Sequence, residues 1–245
     1  MKSFVAAVAF LTRLPVGRLV SCDAADVARS AGWFPMIGIF LGSFYWLSAS
    51  LLHGHLPLAV IGVILVALDA AATGALHFDG LADTADGFGG GKTREDVLRI
   101  MRDHAIGTYG GLALAIVVAC KTAAYATLLN RNGVVPALIL TPALGRWAML
   151  LLTATLPYAR ASASVIGGMG KRSLVVGTLT VLAANVAARS PNAWIATGIV
   201  VVTASAFGFF CRRRIGGITG DTLGANLQLC ECAALLAFLW TGHPK

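Results

Sequence analysis

Charge is scarce in this sequence. Only 12% of its 245 residues are Asp, Glu, Lys or Arg, whereas 57% are hydrophobic. A soluble domain carries about 25% charged residues, so this composition excludes an ordinary soluble fold. The mean hydropathy of +0.78 places the chain in a membrane instead. We therefore predict an all-α, polytopic membrane protein.

The sequence also lacks a cysteine motif and a visible boundary between domains. The five cysteines form no C-x-x-C pair and no His/Cys spacing typical of a metal site. Most lie in apolar runs, where free cysteine behaves as a small hydrophobic residue, so we interpret them as packing residues. Because no repeat, Pro-rich linker or low-complexity tract divides the chain, we predict one integral-membrane domain over residues 1–245.

Long apolar runs are abundant. Seven of them are each about long enough to cross a bilayer, and the fifth is the shortest. They lie near residues 33–52, 56–76, 108–129, 134–153, 173–188, 193–211 and 223–240. The first eleven residues are apolar but too short to cross, which favours an interfacial or re-entrant helix.

The basic residues alternate between loops. The N-terminal segment and the loops at 77–107, 154–172 and 212–222 hold 14 of the 19 Lys and Arg residues. The intervening loops and the C-terminus hold three, so the asymmetry predicts a cytoplasmic N-terminus and an external C-terminus. The net charge of +8 is then a topology signal and an attraction for anionic headgroups or substrates, with no specific case for nucleic acid.

Three of the 11 acidic residues fall within eight positions. Asp79, Asp83 and Asp86 stand at i, i+4 and i+7, which in a helix places all three on one face. Gathered carboxylates repel one another unless a cation neutralises them or the face is fully hydrated. The spacing therefore indicates a site for a hard cation such as Mg²⁺, or alternatively a solvated acidic helix face.

The residues that follow predict a break and a second helix. The glycine-rich stretch 87–91 is unfavourable for a helix, so we expect the aspartate helix to end there in a mobile loop. Thr93 then resembles a helix cap, with Asp96 in the last position of a capping box. We predict a helix from 94 to 104.

That second helix brings Arg99, Arg102 and Asp103 to one face. The face is either a salt-bridged surface at the headgroups or a binding surface, in which the arginines contact phosphates and Asp103 joins the metal site. The glycine-rich segment from Ile106 to Gly111, which includes Gly107 and Tyr109, would let the backbone approach a ligand closely.

Four charged residues lie inside apolar runs. A charge at the bilayer centre costs about 2.5–3.5 kcal/mol, so Asp69, Lys121, Arg146 and Glu231 should face a cavity or one another. We treat Lys121 and Arg146 as candidate substrate-binding residues. The alternative is structural pairing, for example of Asp69 with Lys121.

A second acidic loop precedes the last apolar run. Asp221 stands between Gly220 and Gly224, and it is a candidate to complete the metal site from the far end of the chain. This requires the last span to pack beside the second and third, and the alternative is that Asp221 caps the last helix. His77, next to the first aspartate, is a candidate ligand, base or capping side chain.

Five motifs together resemble the cobalamin synthase family, adenosylcobinamide-GDP ribazoletransferase. They follow the family's order and span nearly the whole chain. They are FLTRLPV at 10–16, HFDGLADTADG at 77–87, IMRDHAIGTYG at 100–110, PALGR at 142–146 and TGDTLGA at 219–225.

The resemblance implies an enzyme of the bacterial cell (inner) membrane, multi-pass, with its active site facing the cytoplasm. Such an enzyme joins adenosylcobinamide-GDP to α-ribazole or its 5′-phosphate and releases GMP, by Mg²⁺-dependent in-line phosphoryl-alcohol transfer. Asp83 or Asp86 could then accept the proton of the ribose hydroxyl. The predicted catalytic residues are Asp83, Asp86, Asp103 and His77, the predicted metal ligands Asp79, Asp83, Asp86 and Asp221, and the predicted substrate-binding residues Arg99, Arg102, Lys121, Arg146, Gly107 and Tyr109.

Two other functions stay open. A CDP-alcohol phosphotransferase of lipid synthesis also clusters aspartates at the membrane face, but its signature is similar to D-G-x-x-A-R, whereas Asp83 follows Ala82 here. A cation transporter is the non-enzymatic alternative, although its carboxylates are expected near the middle of the membrane rather than in loops. The sequence leaves open whether the protein is a homo-oligomer.

Overall fold

The computed structural model describes residues 2–18, 23–103, 105–131, 134–160 and 170–241, and its regular structure in those ranges is helical. The predicted all-α, polytopic class is confirmed. The α-helices of the described ranges are α1 (Lys2–Leu11), α2 (Ala24–Ser30), α3 (Phe34–Leu52), α4 (Leu58–Thr73), α5 (Leu76–Gly90), α6 (Arg94–Ile100), α7 (Thr108–Leu128), α8 (Val134–Thr155), α9 (Lys171–Ala188), α10 (Pro191–Ile215) and α11 (Gly220–Thr241).

Fewer helices than expected are long and apolar enough to cross a membrane. Among the described residues these are Ala25–Leu52, which joins α2 to α3, and helices α7, α8, α10 and α11. A sixth span results if α4 and α5, which meet at 94°, count as one. The predicted count of seven is therefore not confirmed. Helix α9 matches the fifth predicted run, but it begins with Lys171 and Arg172 and is not among these candidate spans.

The predicted second span, 56–76, is interrupted before it reaches its end. Helix α4 has only 16 residues, short of the roughly 20 that span a bilayer. Its end is a left-handed turn, with φ of 64° at Gly74 and 58° at Ala75. The Ala75 N–H donates to the Ala70 carbonyl and the Gly74 N–H to the Ala71 carbonyl, which is the Schellman pattern of a helix end. The chain then leaves as α5 in a new direction.

Helix α5 continues further than expected. It runs through the glycines to Gly90, so the predicted mobile loop from Gly87 is wrong. A tertiary contact explains this, because Gly87 and Gly91 lie directly against Met101 and Val97 of the α6 segment. Helix α6 in turn ends at Ile100, before the predicted 104, and His104 lies outside the described residues.

Helices α8 and α11 form the centre of the bundle. Most residues of their apolar windows are buried, whereas those of α7 and α10 are mostly exposed at the outer surface of the chain. Helix α3 packs on α8 backbone to backbone, because Gly38 and Gly42 carry no side chain there. Such close crossings at small residues are typical of helix packing in membranes.

A second glycine crossing joins α5 to α11. A Cβ atom at Gly80 would lie 2.8 Å from the Asp221 carbonyl oxygen, and one at Gly224 would lie 3.2 Å from the His77 Cα atom. The helices are therefore antiparallel and in backbone contact. Helix α11 also packs against α7, so the predicted packing of the last span beside the third is confirmed, whereas its other partner here is α5 and not the predicted second span.

Candidate active site

The three aspartates of α5 share one helix, as their spacing predicts, but differ in environment. Asp79 is exposed, Asp83 is half-buried and Asp86 is buried. Within the described ranges, the carboxylates of Asp79 and Asp83 accept no hydrogen bond and form no ion pair. The charge on Asp83 is opposed by Asp79, Asp221 and Asp86, which lie close enough to repel it. This part of α5 is therefore an acidic face whose Asp79 and Asp83 carboxylates have no ion-paired cation in the described part of the chain.

Asp221 joins that face from α11. Its carboxylate accepts a hydrogen bond from Arg160 Nη2 at 2.7 Å, and the Thr219 hydroxyl lies 3.3 Å away. It does not cap α11: the Thr219 hydroxyl accepts from the Thr222 N–H, and the Thr222 hydroxyl accepts from the Thr219 N–H. Since that reciprocal pair already caps the helix, the Asp221 carboxylate is left for Arg160 and the acidic face.

Asp86 is engaged differently from its neighbours. Its two carboxylate oxygens accept the backbone N–H groups of Gly107 and Gly110, at 2.7 and 2.9 Å. Gly107 is the N-cap of α7 and provides no side chain for capping, so Asp86 supplies the cap from another helix. A Cβ at Gly107 or Gly110 would collide with this carboxylate. The backbone at Gly107 is therefore approached by the Asp86 carboxylate, and its contact with a substrate stays a prediction.

The predicted face of α6 is exposed and lies apart from these contacts. Thr93 caps α6 as predicted, and its hydroxyl hydrogen bond lowers the pKa of Asp96 below the usual range. Arg99 lies 3.5 Å from Asp96 in an exposed pair, and the Asp103 carboxylate accepts only the Ala105 N–H among described residues. Arg102 is exposed. The structure does not bring these residues onto the acidic face.

His77 and Tyr109 occupy opposite environments. His77 is buried beneath Gly224 of α11, and its Nε2 has no hydrogen-bond partner among described residues. The Tyr109 ring is 56% exposed and lies over Gly89 of α5. His77 thus faces the helix crossing, whereas Tyr109 lies open at the end of α5.

Lys121 lies in a buried ionic cluster. Its ammonium group donates to Asp69 at 2.8 Å, to Glu231 at 2.6 Å and to Gln228 at 3.1 Å. The Tyr45 hydroxyl donates to the second oxygen of Asp69, at 2.9 Å. An ammonium group has three donors, so Lys121 has none left for a substrate in this structure. The alternative of structural pairing with Asp69 is observed.

Arg146 belongs to the same cluster but is not saturated. Its Nη1 donates to the Pro142 carbonyl at 3.0 Å and to Glu231 at 3.2 Å. The guanidinium is fully buried, yet Nε and Nη2 have no partner among the described residues. Buried donors without partners are costly, so these two are suited to ordered water or an anionic oxygen.

Arg160 is a site residue that the sequence analysis counted only as a basic loop residue. A short backbone pairing holds it beside α11: the Ala159 N–H donates to the Ile218 carbonyl at 2.8 Å, and the Ile218 N–H to the Pro157 carbonyl at 2.9 Å. Arg160 Nε is buried without a partner in the described chain. Its proximity to Asp221 follows from tertiary structure, and no local pattern signals it.

Two further arginines fix the elements around the site. Arg214 donates to the carbonyls of Phe88 and Gly91 at 2.9 and 2.8 Å, which satisfies the end of α5. Arg94 donates to the carbonyls of Ile215 and Ala159 at 2.8 and 2.7 Å. Helices α5, α6 and α10 and the segment of Arg160 are therefore locked together at one end of the bundle.

The acidic face suits a magnesium ion in its donor chemistry. In the described ranges no three His, Cys, Asp or Glu side chains stand together at metal-ligand spacing. Mg²⁺ rarely needs such a cage, because it binds through one or two carboxylates, several waters and substrate phosphates. Asp79 and Asp83, which lack partners, and the neighbouring Asp221 are the residues that would hold it.

The fold and this face define a class: a polytopic, all-α membrane protein with carboxylates and arginines gathered at one end of the bundle. Comparison with known proteins names the family. The family model for cobalamin-5-phosphate synthase matches residues 3–239, so the chain belongs to that family. This is a family of enzymes. The curated relatives described next are transferases.

Several curated relatives carry the name adenosylcobinamide-GDP ribazoletransferase. The chain is 38% identical to the one of Syntrophobacter fumaroxidans, over 96% of each chain. It is 41% identical to the one of Ectopseudomonas mendocina, over 94% of this chain and 96% of the relative. It is 39% identical to the one of Klebsiella pneumoniae, over 98% of this chain and all of the relative. No solved structure matches the chain.

Proposed function

We propose that this protein transfers the adenosylcobinamide-phosphate group of adenosylcobinamide-GDP to α-ribazole or its 5′-phosphate and releases GMP. The observation that supports this most is the proximity of three carboxylates, those of Asp79 and Asp83 on α5 and that of Asp221 on α11. Arg160 lies beside them as the partner of Asp221. Carboxylates without protein partners beside an arginine are what a diphosphate and a divalent cation require.

The reaction exchanges one phosphorus–oxygen bond for another. The ribose hydroxyl oxygen attacks the phosphorus next to cobinamide, the bond from that phosphorus to the bridging oxygen breaks, and the electron pair leaves with GMP. Such transfer depends on positioning and on neutralising charge rather than on covalent help from protein.

Asp83 is the carboxylate best placed to accept the hydroxyl proton. It is half-buried and forms no ion pair within the described chain, whereas both oxygens of Asp86 already accept backbone N–H groups. Burial of Asp83, and then repulsion from Asp79 and Asp221, favour its neutral, protonated form and so favour proton uptake. These observations support Asp83 over Asp86, the other base that the sequence leaves open.

Arginines of this chain, together with a bound metal, would neutralise the phosphate charge. Bound Mg²⁺, held by Asp79, Asp83 and Asp221, would neutralise the charge of the diphosphate. Arg160 Nε, which has no partner among the residues that the structure describes, lies beside Asp221 and suits a phosphate oxygen. Arg99, Arg102 and Tyr109, exposed at the same end, stay candidates for the nucleotide.

The proposed location is the bacterial inner membrane, with the acidic face toward the cytoplasm. The loops that carry this face also carry most of the basic residues, which favours the cytoplasmic side. A cytoplasmic site gives both nucleotide substrates direct access.

Product analysis tests the proposal. Purified protein with adenosylcobinamide-GDP, α-ribazole and Mg²⁺ should release GMP and the joined cobamide in equal amounts. Asp83→Asn should abolish both products while the protein still inserts, since an amide is a poor ligand for Mg²⁺ and a poor base. Asp96→Asn, which removes a carboxylate of α6 outside the acidic face, is the matched control and should stay active. Near-normal turnover by Asp83→Asn at saturating Mg²⁺ would refute this assignment of the site.

A further inference from the structure

A basic cleft lies on the other flank of the bundle, between α1, α2 and the start of α9. It has a volume of about 720 Å³, and its lining includes Lys2, Asp26, Arg29, Trp33 and Arg172. Helix α9 borders the cleft because it packs closely on Gly32. A Cβ atom added to Gly32 would lie 3.1 Å from the Val176 side chain. None of these residues belongs to the proposed active site.

The cleft has an excess of positive charge. Its carboxylate, Asp26, is paired with Lys2 at 2.7 Å and with Arg29 at 3.0 Å. Arg172 is exposed and forms no ion pair within 4.0 Å in the described ranges. It also lies with Lys171 in the first turn of α9, where the helix dipole disfavours cations. A bound anion would relieve both the excess charge and this unfavourable placement.

An apolar groove continues from the cleft along the surface of the bundle. It has a volume of about 910 Å³ between α3, α8 and α9, and Met36, Ile39, Ile139, Val176 and Ala183 are among its lining residues. Val176 lines both the groove and the cleft, so the two are contiguous. On α9 the groove extends from Val176 to Ala188, which at 1.5 Å per residue is roughly 18 Å. One leaflet of hydrocarbon is about 15 Å thick.

We propose that this composite surface binds one anionic phospholipid of the membrane. The headgroup phosphate lies in the cleft against Arg172 and Arg29, and an acyl chain lies in the groove along α9. Trp33, 39% exposed in the lining of the cleft, is placed as aromatic residues are at the membrane interface. Charge complementarity at one end and a chain-length apolar groove at the other favour a lipid over a soluble anion, which would use the cleft alone.

Native mass spectrometry of the detergent-purified protein tests this. The probes are phosphatidylglycerol and phosphatidylcholine with identical acyl chains, and sn-glycerol 1-phosphate serves as a soluble anion. We expect phosphatidylglycerol to be retained in a one-to-one complex at concentrations where phosphatidylcholine is lost. Arg172→Gln should weaken retention roughly five-fold, the effect of one basic residue at an anionic surface. Lys92→Gln, which removes an exposed lysine outside the cleft, should not.

The groove is tested separately. Ala183→Trp fills it from an exposed position of α9 and should abolish retention, whereas Ala206→Trp at an exposed position of α10 should not. Equal retention of both lipids, an unchanged Arg172→Gln protein, or an equal loss in Lys92→Gln would overturn the proposal. Competition by sn-glycerol 1-phosphate with no effect of Ala183→Trp would also overturn it and would indicate a soluble anion site instead.

Discussion

Replacing Asp86 with alanine distinguishes a helix cap from a metal ligand. The substitution removes two charge-assisted hydrogen bonds, of 2.7 and 2.9 Å, to the N–H groups of Gly107 and Gly110. A hydrogen bond to a charged group contributes about 1.5–3 kcal/mol, and loss of a helix cap costs about 0.5–2 kcal/mol. Since water can reach part of the vacated space, we expect a loss of about 2–4 kcal/mol in the free energy of unfolding.

The assay compares stability with magnesium dependence in the same preparations. Asp86→Ala should unfold at a lower temperature, measured by tryptophan fluorescence in detergent, and residual activity should show the wild-type Mg²⁺ requirement. Asp83→Asn should behave in the opposite way, because it relieves repulsion on the acidic face: stability equal to or above wild type, with no turnover. An Asp86→Ala protein as stable as wild type but with a much higher Mg²⁺ requirement would refute the cap and restore Asp86 as a ligand.

Three further predictions concern other parts of the chain. Glu231→Gln should destabilise the protein by about 3–5 kcal/mol in thermal unfolding, because the buried Lys121 ammonium loses one of its two carboxylate partners. Wild-type stability of this variant would contradict an ionic role for the cluster. Asp221→Ala and Asp221→Asn should both lower the rate and the apparent Mg²⁺ affinity in a magnesium titration, and a fully active Asp221→Asn enzyme would remove it from the site. In sealed cells, a membrane-impermeant thiol reagent should label His55→Cys but not Lys92→Cys, both made in a cysteine-free background; labelling of both would place the acidic face outside.

Local patterns predicted the helical aspartate face and the cap of α6. The spacing of Asp79, Asp83 and Asp86 fixes their common face whatever surrounds the helix, and Thr93 caps a helix that begins at the next residue. The burial cost of charge likewise indicated that Asp69 and Lys121 need partners. These inferences depend only on neighbours in sequence or on the solvent.

The remaining features depend on contacts between distant segments. Helix α5 persists through its glycines because α6 and Arg214 support them, and the intrinsic propensity of glycine gives no sign of that support. Asp86 caps a helix whose N-cap residue, Gly107, lies 21 residues later, and Arg160 binds Asp221 across 61 residues. The prediction of the second span was wrong for a related reason. A hydropathy pattern contains no sign of the left-handed turn at Gly74 and Ala75.

The glycine crossing of α5 and α11 has a consequence for biosynthesis. Asp79 and Asp83 precede Asp221 by six helices in the chain, and the crossing of α5 and α11 at Gly80 and Gly224 brings them together. A nascent chain that has inserted α5 therefore holds an acidic face that is incomplete until α11 follows. The enzyme is expected to gain activity in one step at the end of synthesis, and separately expressed segments divided between α10 and α11 should become active only when they assemble.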